Sequence, residues 1–512
     1  MQNFYSHCRK SFDDDDLFLR DIASNKNFKY ADLHRESGII ANKLKKLGLQ
    51  KGDRLLLQLD KSPWGLFWYF ACLRSGVIFL PLNTAYQEQE VEYFLDDAEP
   101  KLVICNPKQE SLYRSLCAKT KLDCIILCLD ENGSIQDSVM EGSTITPTII
   151  SNSNNGLADF KDYECKSDDT AVILYTSGTT GKPKGAMITH GNLVSNANTL
   201  SHAWHWQRDD VLLHSLPIFH IHGLFVAIHL AVLNSSTILF LEKFDPEKVL
   251  KLLPQATVYM GVPTHYVRIL KNDKFEQSIC KNMRLFTSGS APLLPQTFIE
   301  FEKRAGQSIV ERYGMTETGM NTTNPYNGER RPGTVGLLLE GVEGKILDDE
   351  GSEADIGTPG TLYVKGNNIF KGYWRMPKIT QQEFNEDGFF RTGDITVKDE
   401  AGYISIIGRN KDMIITGGLN VYPKEIESLI DKMHGVLESA IIGVADEDFG
   451  ESVTAIIVKE NHESTISKED IIDSLKNLVA NFKVPKRVHF VDELPRNTMG
   501  KVQKVVLRKM FA

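Results

Sequence analysis

The sequence predicts an α/β fold with a large N-terminal domain of layered sheets and helices and a small α+β C-terminal domain. Short β-branched runs alternate with helical patterns through most of the chain, which is typical of parallel α/β layers. From about Gly341 the pattern changes to short apolar runs separated by glycines, which indicates a β-rich subdomain. A second change follows Gly408-Arg409 and leaves about a hundred residues, enough for a domain that folds alone.

Each predicted element rests on its own local pattern. The expected strands of the N-terminal domain are 54–59, 101–105, 124–129, 171–175, 237–241 and 284–287, and the expected helices include 30–47 and 88–97. In the C-terminal part, Pro423 can occupy the first turn of a helix whose Ile426, Leu429, Ile430 and Met433 share one face. Strands at 439–444 and 452–458 and a helix at 468–479 follow. The predicted domains are therefore 1–408, with its β-rich subdomain at about 341–408, and 409–512.

Composition excludes several classes of protein. The 512 residues carry a formal net charge of −9, which argues against a constitutive nucleic-acid binder. The eight cysteines are scattered without zinc-site spacing and predict reduced thiols. The N-terminus has no apolar core after a basic start, and the apolar stretches 64–73 and 224–233 are shorter than the ~20 residues of a membrane helix. We expect a cytoplasmic protein without membrane insertion.

The strongest motif is the run 175–185, YTSGTTGKPKG, which follows the expected strand 171–175 and precedes an expected helix near Asn192. Its glycines allow backbone N–H groups to approach an anion, its hydroxyls can donate to phosphate oxygens, and its lysines supply charge. The candidate phosphate ligands are Thr176, Ser177, Gly178, Thr179, Thr180, Gly181, Lys182 and Lys184. Pro183 follows the first lysine, so the run is not a Walker A loop. The alternative interpretation is a polar surface loop.

This run resembles the phosphate-binding motif of the adenylate-forming superfamily: acyl-CoA synthetases, peptide-synthetase adenylation domains and beetle luciferases. The other motifs of that superfamily occur in the same order along the chain. The resemblance implies that Thr316 contacts the α-phosphate, that Glu317 binds Mg²⁺, and that Asp394 and Arg409 reach the ribose. It further implies an adenine pocket formed by Gly289, Ser290, Ala291, Pro292, Glu311, Arg312 and Tyr313.

The resemblance also implies a mobile C-terminal domain. Lys411 would be the hinge, and Gly417 and Gly418 would line the tunnel for the coenzyme A thiol. Lys501, in PRNTMGK, would bridge carboxylate and α-phosphate during adenylation. The implied ligands are ATP, Mg²⁺, coenzyme A and a small carboxylic acid. The implied reaction is adenylation of the acid with loss of pyrophosphate, followed by acyl transfer to coenzyme A with release of AMP.

The nucleotide motifs do not specify the acid, so the acyl group must be inferred from other residues. His220 occupies a position common to acyl-CoA synthetases, and His222 adds a polar group beside it. Arg268 could hold a second carboxylate, with Ser290 nearby, whereas an unpaired arginine in a long-chain tunnel would cost several kcal/mol. Arg284 is the rival cation, although its place at the start of a strand favours a structural role. The motifs around these residues are similar to those of malonyl-CoA synthetases, so we expect malonate, with methylmalonate as a slower substrate.

Three other functions are compatible with parts of the sequence. A short- or medium-chain monocarboxylate–CoA ligase would share every nucleotide motif. A free-standing adenylation enzyme would pass its acyl group to a carrier protein. A non-catalytic nucleotide-binding homologue is disfavoured, because the phosphate loop, Glu317, Asp394 and Lys501 are all present. The oligomeric state cannot be read from the sequence.

Overall fold

A computed structural model describes residues 3–130, 133–136, 159–176, 182–291, 293, 295–348, 350–409, 414–421, 423–461, 464–495 and 502–512. It is a mixed α/β structure with four sheets, which confirms the predicted fold class.

The strands, numbered in chain order, are β1 (Leu17–Asp21), β2 (Lys26–Lys29), β3 (Arg54–Gln58), β4 (Ile78–Pro81), β5 (Leu102–Cys105), β6 (Ile125–Leu129), β7 (Ile135–Gln136), β8 (Thr170–Thr176), β9 (Lys184–Thr189), β10 (Val211–His214), β11 (Thr237–Phe240), β12 (Val258–Gly261), β13 (Leu285–Ser288), β14 (Val310–Met315), β15 (Gly319–Thr323), β16 (Leu337–Leu338), β17 (Val342–Leu347), β18 (Gly360–Gly366), β19 (Gly372–Tyr373), β20 (Phe390–Lys398), β21 (Ile404–Arg409), β22 (Ile414–Thr416), β23 (Leu419–Val421), β24 (Val436–Asp446), β25 (Gly450–Lys459) and β26 (Arg487–Val491).

The α-helices, numbered likewise, are α1 (Phe4–Cys8), α2 (Tyr30–Lys46), α3 (Pro63–Ser75), α4 (Glu88–Ala98), α5 (Glu110–Thr120), α6 (His190–Ala203), α7 (His229–Leu233), α8 (Pro246–Leu252), α9 (Pro263–Leu270), α10 (Pro295–Ala305), α11 (Pro377–Gln382), α12 (Pro423–Ile430), α13 (Lys468–Lys476) and α14 (Lys504–Phe511). A π-helical segment, His222–Ile228, leads directly into α7.

Two large sheets form the N-terminal part. The nine-stranded sheet has the order β16-β15-β14-β13-β12-β10-β11-β1-β2, and the eight-stranded sheet has the order β19-β9-β8-β4-β3-β5-β6-β7. Helix α3 is apolar on nearly every face and is buried, as its sequence PWGLFWYFACLRS dictates. It begins at Pro63 and ends where Gly76 adopts φ +73°. The largest core cluster joins α3 to strands of both sheets.

The parallel strands of the nine-stranded sheet determine where a ligand can bind. Strands β10, β12, β13 and β14 are parallel neighbours, so their carboxyl ends lie at one edge. Open α/β sheets bind ligands outside this edge, in the crevice formed by the loops that follow the strands. The segments around His220, Val262, Gly289 and Glu317 all follow these strands or end them.

The rest of the chain forms two smaller sheets. Strands β17, β18, β20 and β21 make an antiparallel sheet, where the glycine-rich sequence predicts β structure. Strands β22 to β26 form a separate sheet, and α12 and α13 contribute to its core through Ile426, Ile430, Ile471 and Leu475. The predicted domain boundary at 408/409 stays a prediction, because β21 continues to Arg409 and residues 410–413 lie outside the described residues.

Most of the elements that the sequence analysis named lie within two residues of their predicted bounds, and one of those it did not name adjoins the phosphate loop. The predicted helix near Asn192 is confirmed, but β9, which the sequence analysis did not predict, lies between it and the phosphate loop and pairs antiparallel with β8. Helix α6 then begins at His190, with Thr189 as its cap. The two ends of the motif, Tyr175–Thr176 and Lys184–Gly185, therefore lie side by side in paired antiparallel strands. No helix in the described part of the chain is long and apolar enough to cross a membrane, and all eight cysteines are free thiols.

Candidate active site

A cavity of about 310 Å³ lies at the carboxyl edge of the nine-stranded sheet. Its walls come from that sheet, the β8–β9 hairpin, β20 and β22. The residues of the sequence prediction that line it are Thr176, His220, Ser290, Ala291, Glu311, Arg312, Tyr313, Thr316, Glu317 and Asp394. Fold packing thus brings together segments that are more than two hundred positions apart.

Glu317 lies at the hairpin end of this cavity. Its Oε1 accepts hydrogen bonds from the Thr176 hydroxyl at 3.3 Å and from the Tyr373 hydroxyl at 2.9 Å. These two donors orient the carboxylate, and Thr316 lines the cavity beside it. No cluster of three or more His, Cys, Asp or Glu side chains suited to a metal occurs among the described residues. A magnesium ion here would rest on Glu317 and the phosphates of a nucleotide, an arrangement that Mg²⁺ commonly adopts.

The two lysines of the phosphate loop differ in their exposure to solvent. Lys182 is exposed at the hairpin. Lys184 lies in β9 and is buried, with its Nζ 3.2 Å from Glu383 Oε1 and 4.0 Å from the ring centroid of Tyr373. Strand pairing thus directs the Lys184 side chain to a carboxylate of the protein in this structure, and its contact with phosphate stays a prediction.

Asp394 and Tyr313 meet in the wall of the same cavity. Asp394 is fully buried on β20, and its Oδ2 accepts a hydrogen bond from the Tyr313 hydroxyl. Its backbone N–H donates to the Thr392 hydroxyl at 3.1 Å. Arg409 is the register partner of Asp394 on β21, so the backbone brings the two predicted ribose ligands opposite each other.

The loop after β13 carries the predicted adenine contacts. Ser290 has φ +71°, an uncommon conformation for a residue with a side chain and one that is concentrated at functional sites. The Glu311 carboxyl accepts a hydrogen bond from Leu293 N–H through Oε1, while Oε2 has no partner among the described residues. Burial raises the pKa of Glu311 to about 8, so this carboxyl is mostly protonated at neutral pH.

Arg312 is the least satisfied group in the site. It is 3% exposed, and neither Nε nor Nη2 has a hydrogen-bond partner among the described residues. Burial lowers its pKa to about 9. Its guanidinium lies over Gly289, where a Cβ would come within 2.5 Å of the guanidinium carbon. The charge of Arg312 also contributes to the lowered pKa values of His220 and His222, and its place in the adenine pocket stays a prediction.

His220 and His222 adjoin this guanidinium. Burial, with Arg312 adding to it, lowers the pKa of His220 to about 4 and that of His222 well below its usual value, so both are neutral. His222 Nδ1 is 3.2 Å from the Ser290 hydroxyl, and its buried Nε2 has no partner in the described structure. His220, Ser290 and Arg312 line the cavity and His222 contacts Ser290, so this part of the cavity is polar and can accept an anion.

Arg268 and Arg284, the two arginines considered as ligands of a second substrate carboxylate, both pair with carboxylates of the protein. Arg268, on α9, does not line the cavity, and its Nε and Nη2 lie 3.1 Å and 3.0 Å from the carboxylate oxygens of Asp448. Its role toward a substrate stays a prediction. Arg284 precedes β13, at the opposite end of that strand from the site, and pairs with the buried Asp210. A structural role for Arg284 is thereby confirmed.

Some predicted residues lie outside the described residues: Ser177, Gly178, Thr179, Thr180, Gly181, Pro292, Lys411 and Lys501. Gly417 and Gly418 form the turn between β22 and β23, with φ +57° and +78°. A Cβ on Gly418 would lie 3.0 Å from Val262 Cγ1, so this turn packs against the segment after β12. Ile415 of β22 reaches the cavity itself.

Sequence reasoning missed Tyr373, Ile415 and the segment Gly333–Val335 among the residues that form or support the cavity. Tyr373 orients Glu317 from 56 positions away. The neighbouring sequence, KGYW, does not indicate this role, because a tyrosine there is equally compatible with an ordinary short strand.

Comparison with known proteins gives matches over nearly the whole chain. Residues 8–374 match the family model described as AMP-binding enzyme, and residues 425–501 match the AMP-binding enzyme C-terminal domain. A malonate–CoA ligase of Arabidopsis thaliana is 33% identical over 530 residues, 96% of this chain and 82% of the relative. A long-chain-fatty-acid–CoA ligase, FadD13, of Mycobacterium tuberculosis is 32% identical over 487 residues, 94% of this chain and 93% of the relative.

Two solved structures are informative together. ATP-bound MatB from Rhodopseudomonas palustris is 47% identical, with 100% of this chain and 99% of that chain covered, and gives a TM-score of 0.76. A double mutant of the o-succinylbenzoate CoA synthetase MenE from Bacillus subtilis, bound with its product analogue OSB-NCoA, is 25% identical. It covers 99% of this chain and 98% of its own, and gives a TM-score of 0.86.

Proposed function

The chain belongs to the AMP-binding enzyme family, and from that premise we propose that it is a malonate–CoA ligase, with methylmalonate as a slower substrate. A malonate oxygen attacks the α-phosphorus of ATP and pyrophosphate leaves, which gives malonyl-adenylate. The sulfur of coenzyme A then attacks the acyl carbonyl, its thiol proton is released, and AMP leaves. The mixed anhydride is needed because a free carboxylate is a poor acyl donor.

The observation that carries the substrate assignment is the buried Arg312 guanidinium without a partner at Nε and Nη2. An uncompensated buried charge costs several kcal/mol, and a carboxylate can offset that cost through two parallel charge-assisted bonds. Malonate has a second carboxylate to offer, whereas an alkyl chain would leave the guanidinium desolvated and unpaired. His222 and Ser290 lie beside it and can donate to the same anion. Arg268 is a second candidate ligand for that carboxylate.

The remaining roles follow from the cavity. Thr316 and the hydroxyls and amides of 176–181 would hold the phosphates, with Lys182 supplying charge. Tyr313, Glu311 and the loop after β13 would enclose adenine, and Asp394 with Arg409 would hold the ribose. Glu317 would bind Mg²⁺, which neutralises phosphate charge when present.

The C-terminal residues have roles in both steps. Lys501 would stabilise the adenylation transition state, and Lys411 would be the hinge between domains 1–408 and 409–512. Gly417 and Gly418 would line the path of the thiol. The free cysteines favour a reducing compartment, and we propose the cytoplasm.

The test is a substrate panel with purified protein, ATP, Mg²⁺ and coenzyme A. Malonate, methylmalonate, acetate, butyrate and octanoate are compared by acid-dependent pyrophosphate release and by thioester formation. We expect the highest kcat/KM with malonate and a lower value with methylmalonate. Octanoate turnover above malonate would overturn the dicarboxylate assignment. Adenylate formation without thioester product would indicate a carrier protein as acceptor instead.

A further inference from the structure

Lys483 connects the C-terminal segment to the N-terminal sheets through a buried ionic contact. Its Nζ is 2.5 Å from Glu90 Oε1, on α4, and 2.8 Å from Glu425 Oε1, in the first turn of α12. Glu90 and Lys483 are 393 positions apart. The cluster therefore contains two C-terminal residues and one N-terminal carboxylate, which makes it a contact between the proposed domains.

This contact is almost completely removed from solvent. The Lys483 and Glu90 side chains are 4% and 8% exposed, and Nζ lies 5.0 Å from the ring centroid of Tyr86. Burial alone would lower the pKa of Lys483, but the carboxylates of Glu425 and Glu90 raise it, so the ammonium is charged. A buried charge pair is costly to separate, because each partner would remain desolvated or must regain water. The contact therefore favours whichever domain arrangement contains it.

Other contacts identify that arrangement. Gly418 lies against Val262, Ile415 reaches the cavity, and Arg268 pairs with Asp448. The proposed thiol-path turn thus packs against the segment that joins β12 to α9, and β22 beside it reaches the cavity. The whole chain also superposes better on a synthetase bound to a coenzyme A product analogue than on an ATP-bound relative of much higher sequence identity.

We propose that Glu90 and Lys483 form an interdomain latch that holds the arrangement used for acyl transfer to coenzyme A. They are positioning residues for the second half-reaction only, since the latch must open when the C-terminal domain moves for adenylation. The inference rests on the proposed function. Glu425 keeps Lys483 charged and oriented while the latch is open.

The test replaces Glu90 by Gln. A glutamine Oε1 can still accept the hydrogen bond that Glu90 receives from Gln87 N–H at the start of α4, so the helix cap is kept while the negative charge is lost. Glu92→Gln is the matched control, because it makes the same charge change on the same helix, where Glu92 pairs with the exposed Lys119. Two rates are measured: malonate-dependent ATP–pyrophosphate exchange, and single-turnover transfer from preformed malonyl-adenylate to coenzyme A.

We expect Glu90→Gln to slow transfer about tenfold or more while exchange changes less than about twofold, and Glu92→Gln to leave both rates unchanged. Glu90→Asp should recover part of the transfer rate. Equal loss in both half-reactions, or no loss in transfer, would overturn the latch.

A second measurement does not require activity. Cysteines placed at the exposed Ile299 and Leu437 carry a fluorophore pair, and the distance between them is compared in the wild-type and Glu90→Gln backgrounds. The latch requires that Glu90→Gln change the distribution of distances and that Glu92→Gln not change it. Identical distributions would refute the latch, whereas lack of malonate-dependent exchange in the wild-type protein would refute the proposed function.

Discussion

Two buried cations, Arg312 in the cavity and Lys483 between the proposed domains, differ in one respect. Both residues are 3% exposed. Lys483 lies between two carboxylates, whereas no carboxylate in the described structure pairs with Arg312. The protein itself offsets the desolvation of Lys483, and that of Arg312 is left to a ligand. Equal burial thus accompanies opposite roles, and the partner of a charge distinguishes a structural contact from a binding site.

The largest effect is expected for Arg312→Met, which removes the buried cation that has no carboxylate partner among the described residues. Losing the carboxylate ligand should lower kcat/KM for malonate roughly a thousandfold, equivalent to about 4 kcal/mol, while thermal stability stays equal or rises because an unpaired buried charge is removed. The contrasting variant is Arg284→Met, which should destabilise the fold by leaving the buried Asp210 without its partner. Steady-state kinetics and thermal melting measure both. A melting temperature that falls as far in Arg312→Met as in Arg284→Met would make Arg312 structural.

Gly289→Ala perturbs the same guanidinium without removing its charge. The added Cβ would meet the Arg312 guanidinium carbon at 2.5 Å, so the group must move. A displacement of this size should raise the malonate KM about tenfold to a hundredfold, with a smaller effect on ATP. Unchanged malonate kinetics would show that the position of the guanidinium does not matter.

Arg268→Met tests the cation that has a partner in this arrangement. Because Asp448 competes for its guanidinium, we expect a smaller rise in malonate KM, about tenfold, and little change for ATP. Kinetics for both substrates measure the effect. No change would remove Arg268 from the acyl site, and a loss equal to that of Arg312→Met would make the two arginines equal ligands.

A prediction about stability rather than catalysis concerns Glu311, a buried carboxyl that pairs with no cation in the described structure. The unfolded chain releases this proton near pH 4.5, but burial keeps it bound in the folded protein until about pH 8. The folded state therefore binds more protons between these values, and stability falls as the pH rises through that window. Glu311→Gln stays neutral, so its stability relative to wild type should increase by about 3 to 4 kcal/mol from pH 5 to pH 8. Thermal melting at both pH values measures this, and a pH-independent difference would contradict the raised pKa.

Local sequence was sufficient for elements whose periodicity is strong. The runs that became β3, β5 and β6 were located within one or two residues, because a buried parallel strand is a short continuous apolar run. The nucleotide motifs were also readable, since phosphate binding needs glycines, hydroxyls and cations close together in one segment. Strand β9 was missed because KGAMIT has no distinctive alternation, and its pairing with β8 decides its conformation.

By itself, the sequence determined the α/β class, the order of the nucleotide motifs and the acid–CoA ligase chemistry, which the family relationship supports. Only the tertiary structure decided which charges are paired. It directed Lys184 to Glu383 and Arg268 to Asp448, and it left Arg312 buried above Gly289. The physical reason is range: periodicity and motif chemistry act over a few residues, whereas the cost of burying a charge depends on partners that packing brings from hundreds of positions away.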